Sequence, residues 1–294
     1  MNEMRAPLFA LLTAFCLGAG DFSSHYGLRR VRPLTGAFFI ICFQLLTLSV
    51  ALLIRGRWDI PDWRGPIFFL VSGVLHPGVF FFFLLTAIQR LGPARAITLK
   101  STSPFFGVTM AVLFLAERPS PSVLLGVFLV VGGVMYLTAD RRLGGGRPGL
   151  LYVIAAAFFS GLGPVLAKAG LGSLNDTMLG PLFAMMGGAV TLFLGNTVFV
   201  GSQEGAFWLR APSAKAVLLF LPMGVLGALG WISYYTALTY GSVSVVIPLV
   251  QTAPFVTLLL SRLLVQEQER VTLRLVISAV FIFLGAVLIA LGRA

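Results

Sequence analysis

The chain is predicted to be an all-α polytopic membrane protein, with ten transmembrane helices arranged as two inverted five-helix repeats. Composition, the length of its apolar runs and an internal repeat predict this. Of 294 residues, 58% are hydrophobic and 11% charged, against about 25% charged in a soluble domain. So much apolar surface needs lipid to cover it. The apolar runs are about 20 residues long, the helical length that crosses ~30 Å of hydrocarbon. They are continuous, as from Val123 to Tyr136, without the period-two alternation of barrel strands. Lipid leaves every peptide group to be satisfied within the chain, so such runs are helices.

The 20-residue ruler divides the chain into segments from Pro7 to Leu28, Leu34 to Ile54, Gly65 to Gln89, Pro93 to Ala116 and Ser122 to Ala139. Five more follow, from Pro148 to Ala169, Thr177 to Val200, Ala214 to Thr239, Ser242 to Val265 and Val271 to Leu291. The start, Met1 to Arg5 and then apolar residues, imitates a signal peptide, but further spans and no convincing cleavage site follow, so the first segment is read as a helix. Pairs such as Gly18 with Gly20, Gly132 with Gly133 and Gly187 with Gly188 suit close helix packing.

The net charge of +11 comes from 21 Lys and Arg residues in short clusters between apolar segments, such as Arg29, Arg30 and Arg32, or Arg141, Arg142 and Arg147. Clusters of this kind meet lipid headgroups and set topology; no basic stripe suits nucleic acid. Cys16 and Cys42 lie inside predicted spans and pack as small hydrophobes, with no disulfide expected.

The repeat is visible directly. Residues 87–117 read AIQRLGPARAITLKSTSPFFGVTMAVLFLAE, and 237–267 read ALTYGSVSVVIPLVQTAPFVTLLLSRLLVQE. Pro104-Phe105 matches Pro254-Phe255, and Glu117 and Glu267 each follow their proline by 13 residues. Phe15, Gly18, Gly20 and Gly27 correspond at an offset of 143 to Phe158, Gly161, Gly163 and Gly170. The division is therefore placed at 1–145 and 146–294. An odd number of crossings per copy inverts the second copy, a construction that secondary transporters use around a midplane site.

On these motifs the sequence resembles the drug/metabolite transporter superfamily, specifically its ten-helix EamA-type members. The proline-centred Thr102-Ser103-Pro104-Phe105 and Thr252-Ala253-Pro254-Phe255, ending in Glu117 and Glu267, carry the resemblance. A Gly-rich fifth or tenth helix follows, with Gly126 and Gly133 in one copy and Gly285 in the other. The family's helix-ending lysine is Lys168 in the second copy and His25 in the first, while its usual Trp-Gly pair is Leu17-Gly18 and Ser160-Gly161. The segment from Ile97 to Pro104 is also similar to the fourth helix of organelle sugar-phosphate translocators, which implies an anionic substrate. Relatives keep both termini in the cytoplasm, whereas the Lys and Arg distribution between the two sides places them outside.

Charged groups at membrane depth are costly and mark candidate sites. At 1.5 Å per residue, Asp21 lies ~12 Å inside the end of the first span and Lys100 ~10 Å inside the start of the fourth, on the same side. They are expected to pair or to share a proton. His25 stands one turn after Asp21, on the same face, and His76 beside Pro77 lies mid-way along the third span. Lys168, near the end of its helix, is expected to snorkel. Trp231, Tyr234 and Tyr235 cluster mid-helix, away from an interfacial belt, and could stack a substrate. Gln251 and Ser101, at matching places before Pro254 and Pro104, could offer hydrogen bonds. The prolines themselves are candidate hinges.

The chain has no Walker-type glycine loop and only two, distant histidines, so neither ATP hydrolysis nor a metal centre is expected, nor any other cofactor or catalytic group. The expected partners are the bilayer, a small-molecule substrate, and protons or a counter-substrate. The expected function is secondary transport, as export, of a small organic metabolite of amino-acid-like, anionic or aromatic character across the inner (plasma) membrane. The alternative is a flippase or exchanger for lipid-linked, sugar-phosphate or nucleotide-type substrates. An intramembrane enzyme using Asp21 and His25 as acid and base is a third, weaker class.

Overall fold

A computed structural model describes residues 4–28, 31–56, 60, 62–91, 93–138, 147–174, 176–197, 213–265 and 273–292. Among them there are helices and connecting turns, and no strand. The first half contains α1 (Arg5–Leu28), α2 (Pro33–Arg55), α3 (Arg64–Gly73), α4 (Phe80–Leu91), α5 (Pro93–Lys100), α6 (Ser103–Leu115) and α7 (Pro121–Thr138). The second contains α8 (Arg147–Ser173), α9 (Leu179–Gly195), α10 (Ala214–Leu218), α11 (Leu221–Tyr240), α12 (Val243–Val250), α13 (Ala253–Val265) and α14 (Leu273–Leu291). Glu267, the partner of Glu117 in the repeat, and Val271, the expected start of the last span, lie outside the described residues.

Five described helical stretches are long and apolar enough to cross a membrane: Arg5–Ser23, Pro33–Arg55, Arg64–Leu91, Gly149–Ser173 and Ala214–Tyr240. Five shorter apolar ones accompany them. Their outward faces are hydrocarbon, with Leu8, Leu11, Leu12 and Phe15 exposed on α1 and Leu124, Leu125 and Phe128 on α7. In water such surface would drive aggregation; in lipid it costs nothing.

Four expected spans are not single helices: the eighth divides between α10 and α11 just ahead of Pro222, and three others are broken more deeply. The third is interrupted by a wide turn, Val74–Val79, where His76 leaves helical conformation (φ −144°, ψ 111°) ahead of Pro77. The fourth divides between α5 and α6, and the ninth between α12 and α13. Proline is the cause in each case, since its ring lacks the N–H that would close the preceding turn.

The halves interlock. α1 packs chiefly against α11 and α13 of the second half, while α8 packs against α3, α4 and α6 of the first. Absent side chains allow these approaches: a Cβ on Gly18 would lie 2.6 Å from the Ala253 carbonyl oxygen, and one on Gly161 would lie 2.6 Å from the Gly107 nitrogen. The two glycines are 143 positions apart, and the backbones they meet belong to the matching segments α13 and α6. α7 and α14 form a further pair between the halves. Each copy thus completes its core with helices of the other.

Candidate functional site

The two proline helices break in the same way. After α5, the Ser101 amide donates to the Ile97 carbonyl and the Thr102 amide to Leu99, both at 3.1 Å. After α12, the Gln251 amide donates to Ile247 and the Thr252 amide to Leu249, again both at 3.1 Å. Thr102 and Thr252 each turn their hydroxyl back onto the Leu99 or Leu249 carbonyl at 2.7 Å. Because Pro104 and Pro254 have no N–H, neither can return a helical bond to the carbonyl of Lys100 or Val250. Backbone polarity is therefore laid open at two places that the repeat makes equivalent.

Side chains join these places. The Lys100 ammonium donates to Gln251 Oε1 at 3.4 Å, and Gln251 Nε2 donates to Ser103 Oγ. The carboxamide orientation is chemically forced, since an ammonium has only donors to offer and must face the oxygen. Lys100 is half-buried, Ser103 fully buried and Gln251 half-buried. Asp21 remains exposed although protein atoms surround it. Its carboxylate and the Lys100 ammonium act on each other as opposite charges.

An aromatic wall adjoins Lys100. Its Nζ lies 5.6 Å from the centre of the Phe80 ring, within cation–π range. Phe80 lies tilted against His76 at 4.7 Å, His76 meets the edge of Trp231 at 5.9 Å, and Trp231 meets Tyr234 edge-on at 5.5 Å. The break at His76 turns its ring toward α11. His76 and Trp231 are half-buried, whereas Tyr234 is 5% exposed.

Other candidates are placed elsewhere. Tyr235, 1% exposed, packs on Phe69 at 5.5 Å and stands against Gly180, so it belongs to the helix packing. Ser101 is buried and donates to the Ile97 carbonyl of its own helix at 2.9 Å. Ser103, two positions on, is the hydroxyl that faces Gln251. His25 lies within α1, and its side chain is outside the described residues. Lys168 does not snorkel: it turns inward and donates to the carbonyls of Leu238 and, at 3.0 Å, Gly241. Those carbonyls end α11 and have no helical partner of their own.

Lys168 there feels the charge of Glu117, whose carboxylate accepts from the Val243 amide at 2.6 Å, the Ser244 amide at 2.9 Å and the Ser244 hydroxyl at 2.6 Å. The carboxylate caps the start of α12 while the ammonium caps the end of α11, each charge opposing the helix dipole it meets. Glu117 was visible in the sequence as a repeat marker; its capping role was not.

Comparison with known proteins is consistent with this architecture. The model of the EamA-like transporter family matches residues 4–139 and 147–291. A solved crystal structure superposes with a TM-score of 0.79, over 97% of this chain and 98% of its own, at 19% identity, a likeness of fold alone. No curated protein matches the chain.

Proposed function

The chain belongs to the EamA-like transporter family, a group of multi-pass membrane transporters, and we propose that it is a secondary transporter for a small organic anion with a planar or aromatic portion. Ten spans in two inverted repeats, residues 1–145 and 146–294, would rock about a central cavity, with export across the inner (plasma) membrane. Pro104 and Pro254 would serve as the hinges. Asp21 would tune Lys100 or share a proton with it, and His76, Trp231 and Tyr234 would form the wall against which the substrate's flat face lies.

The observation that supports this reading best is the position of Lys100. It stands where two broken helices meet, beside an aromatic wall and opposite Asp21. A cation held at membrane depth is costly unless it has work to do, and in transporters broken helices line substrate sites. The Lys100 ammonium would donate to an anion, and half-buried Trp231 would offer a ring a surface.

Counterflow into proteoliposomes loaded with pooled metabolites tests this. Aromatic and other small carboxylates should exchange, and Lys100→Met should abolish exchange. Asp21→Asn should change its pH dependence. Exchange confined to neutral or cationic solutes, or unaltered by Lys100→Met and Asp21→Asn alike, would refute the assignment.

A further inference from the structure

Gln251 occupies an asymmetric position in a symmetric frame. Its counterpart in the first copy is Ser101, which spends its hydroxyl on its own helix. Of these two matched residues Gln251 is the one whose side chain reaches across, and it bonds both ends of the opposite break: Lys100, which closes α5, and Ser103, which opens α6. Gln251 thus ties α12 to two half-helices that the sequence separates by Ser101 and Thr102.

The chemistry of the tie is that of a substitute ligand. The Gln251 carboxamide presents one neutral oxygen to the Lys100 ammonium at 3.4 Å, longer than the 2.7–2.9 Å of a good ammonium–carboxylate bond. A carboxylate is planar and similar in size, but it carries full charge and only acceptors, and charge-assisted bonds are roughly twice as strong as neutral ones. Any carboxylate reaching Lys100 would contest the place that Gln251 Oε1 fills.

Resting on the anionic reading above, we propose that Gln251 is a bridge displaced by substrate. In the empty protein it holds the two helix breaks together through Lys100 and Ser103, and an incoming carboxylate takes its place on Lys100 Nζ and so frees the halves to move. Binding energy would thereby be converted into release of a link between the repeats. A neutral solute brings no stronger acceptor than the amide oxygen, and a cationic one is repelled by the ammonium, so the bridge also favours anions.

The sign of one substitution separates a bridge from an ordinary ligand. Full-length protein in nanodiscs is titrated with phenylacetate and, as a cationic control, phenethylamine, reading tryptophan fluorescence. Gln251→Met keeps length and volume but removes the competitor, so phenylacetate should bind at least fivefold more tightly than to wild type. Gln251→Glu supplies a permanent carboxylate and should weaken binding at least tenfold. Ser103→Ala, which cuts one arm only, should tighten binding by an intermediate factor and guards against misfolding of the glutamine variants. Weaker binding to both Gln251→Met and Ser103→Ala overturns the bridge and leaves the anionic reading standing. Wild type that binds phenethylamine and not phenylacetate overturns the anionic reading, and the bridge with it.

Discussion

Removal of the Glu117 carboxylate should loosen the corner where α11 ends and α12 begins. In Glu117→Ala, the amides of Val243 and Ser244 and the Ser244 hydroxyl lose an acceptor at 2.6 to 2.9 Å. The fully buried backbone around Val243 and Ser244 admits water poorly. A hydrogen bond to a charged group contributes about 1.5–3 kcal/mol, but three sharing one carboxylate are not independent, and a lost N-cap alone costs about 1 kcal/mol. The expected loss is roughly 3 kcal/mol, or about 6–12 °C in Tm at 2–4 °C per kcal/mol for large chains. Glu117→Gln keeps one acceptor and should lose roughly half as much. Lys168→Met removes the other charge, and the double variant Glu117→Ala/Lys168→Met should cost at least about 1 kcal/mol less than the sum of the singles, because each single leaves a charge without its opposite. Thermal unfolding of detergent-purified protein, followed by tryptophan fluorescence, measures all four. A Glu117→Ala Tm within about 1 °C of wild type, or strict additivity with Lys168→Met, would refute the clamp.

Other outcomes follow from the same physics. A Cβ at Gly126 would stand 2.7 Å from the Gly285 carbonyl oxygen, whereas one at Gly132 meets nothing within 4 Å. Gly126→Ala should therefore force α7 from α14 and lower stability by about 1–3 kcal/mol, while Gly132→Ala should raise it by up to about 1 kcal/mol, both read as Tm. Outside the spans, burial pushes the Asp176 carboxyl up, but the Arg55 side chain and the amides of Leu179 and Met178 outweigh it and hold it below its ordinary value. A depressed folded value gives stability present above the unfolded pKa of about 4 and lost as pH falls through the folded one. Acid titration of Tm should accordingly fall more steeply below about pH 4 for wild type than for Asp176→Asn, and superimposable curves would contradict the assignment. Trp231→Ala should reduce the preference for aromatic over aliphatic carboxylates two- to tenfold, the worth of one aromatic contact, as measured by competitive counterflow.

The polar bridge between the helix breaks was only partly legible in the sequence. Lys100, Gln251 and the prolines stood out because charge, amide and helix breaker are rare in apolar runs. Ser101 stood out by the repeat, yet Ser103 makes the contact. Helical periodicity relates neighbours along a continuous helix, and it fails at Thr102, where the chain changes direction between α5 and α6. Lys168 looked like a snorkelling residue because its place near a helix end is visible, whereas the exposed carbonyls of Leu238 and Gly241 that attract it are not.

The sequence by itself determined membrane residence and the repeat, since both rest on local properties: runs long enough to cross hydrocarbon, and matching spacings of Gly, Pro and Glu. The two matched breaks were implied by Pro104 and Pro254, whose missing N–H groups are covalent facts. Only the tertiary structure decided which groups meet across the halves: Gln251 with Lys100 and Ser103, Glu117 with the start of α12, Trp231 with His76. Spans that face lipid on one side and apolar neighbours on the other carry no strong amphipathic stripe to announce their inner face, so partners well over a hundred positions apart become neighbours only when the interlocked helices pack.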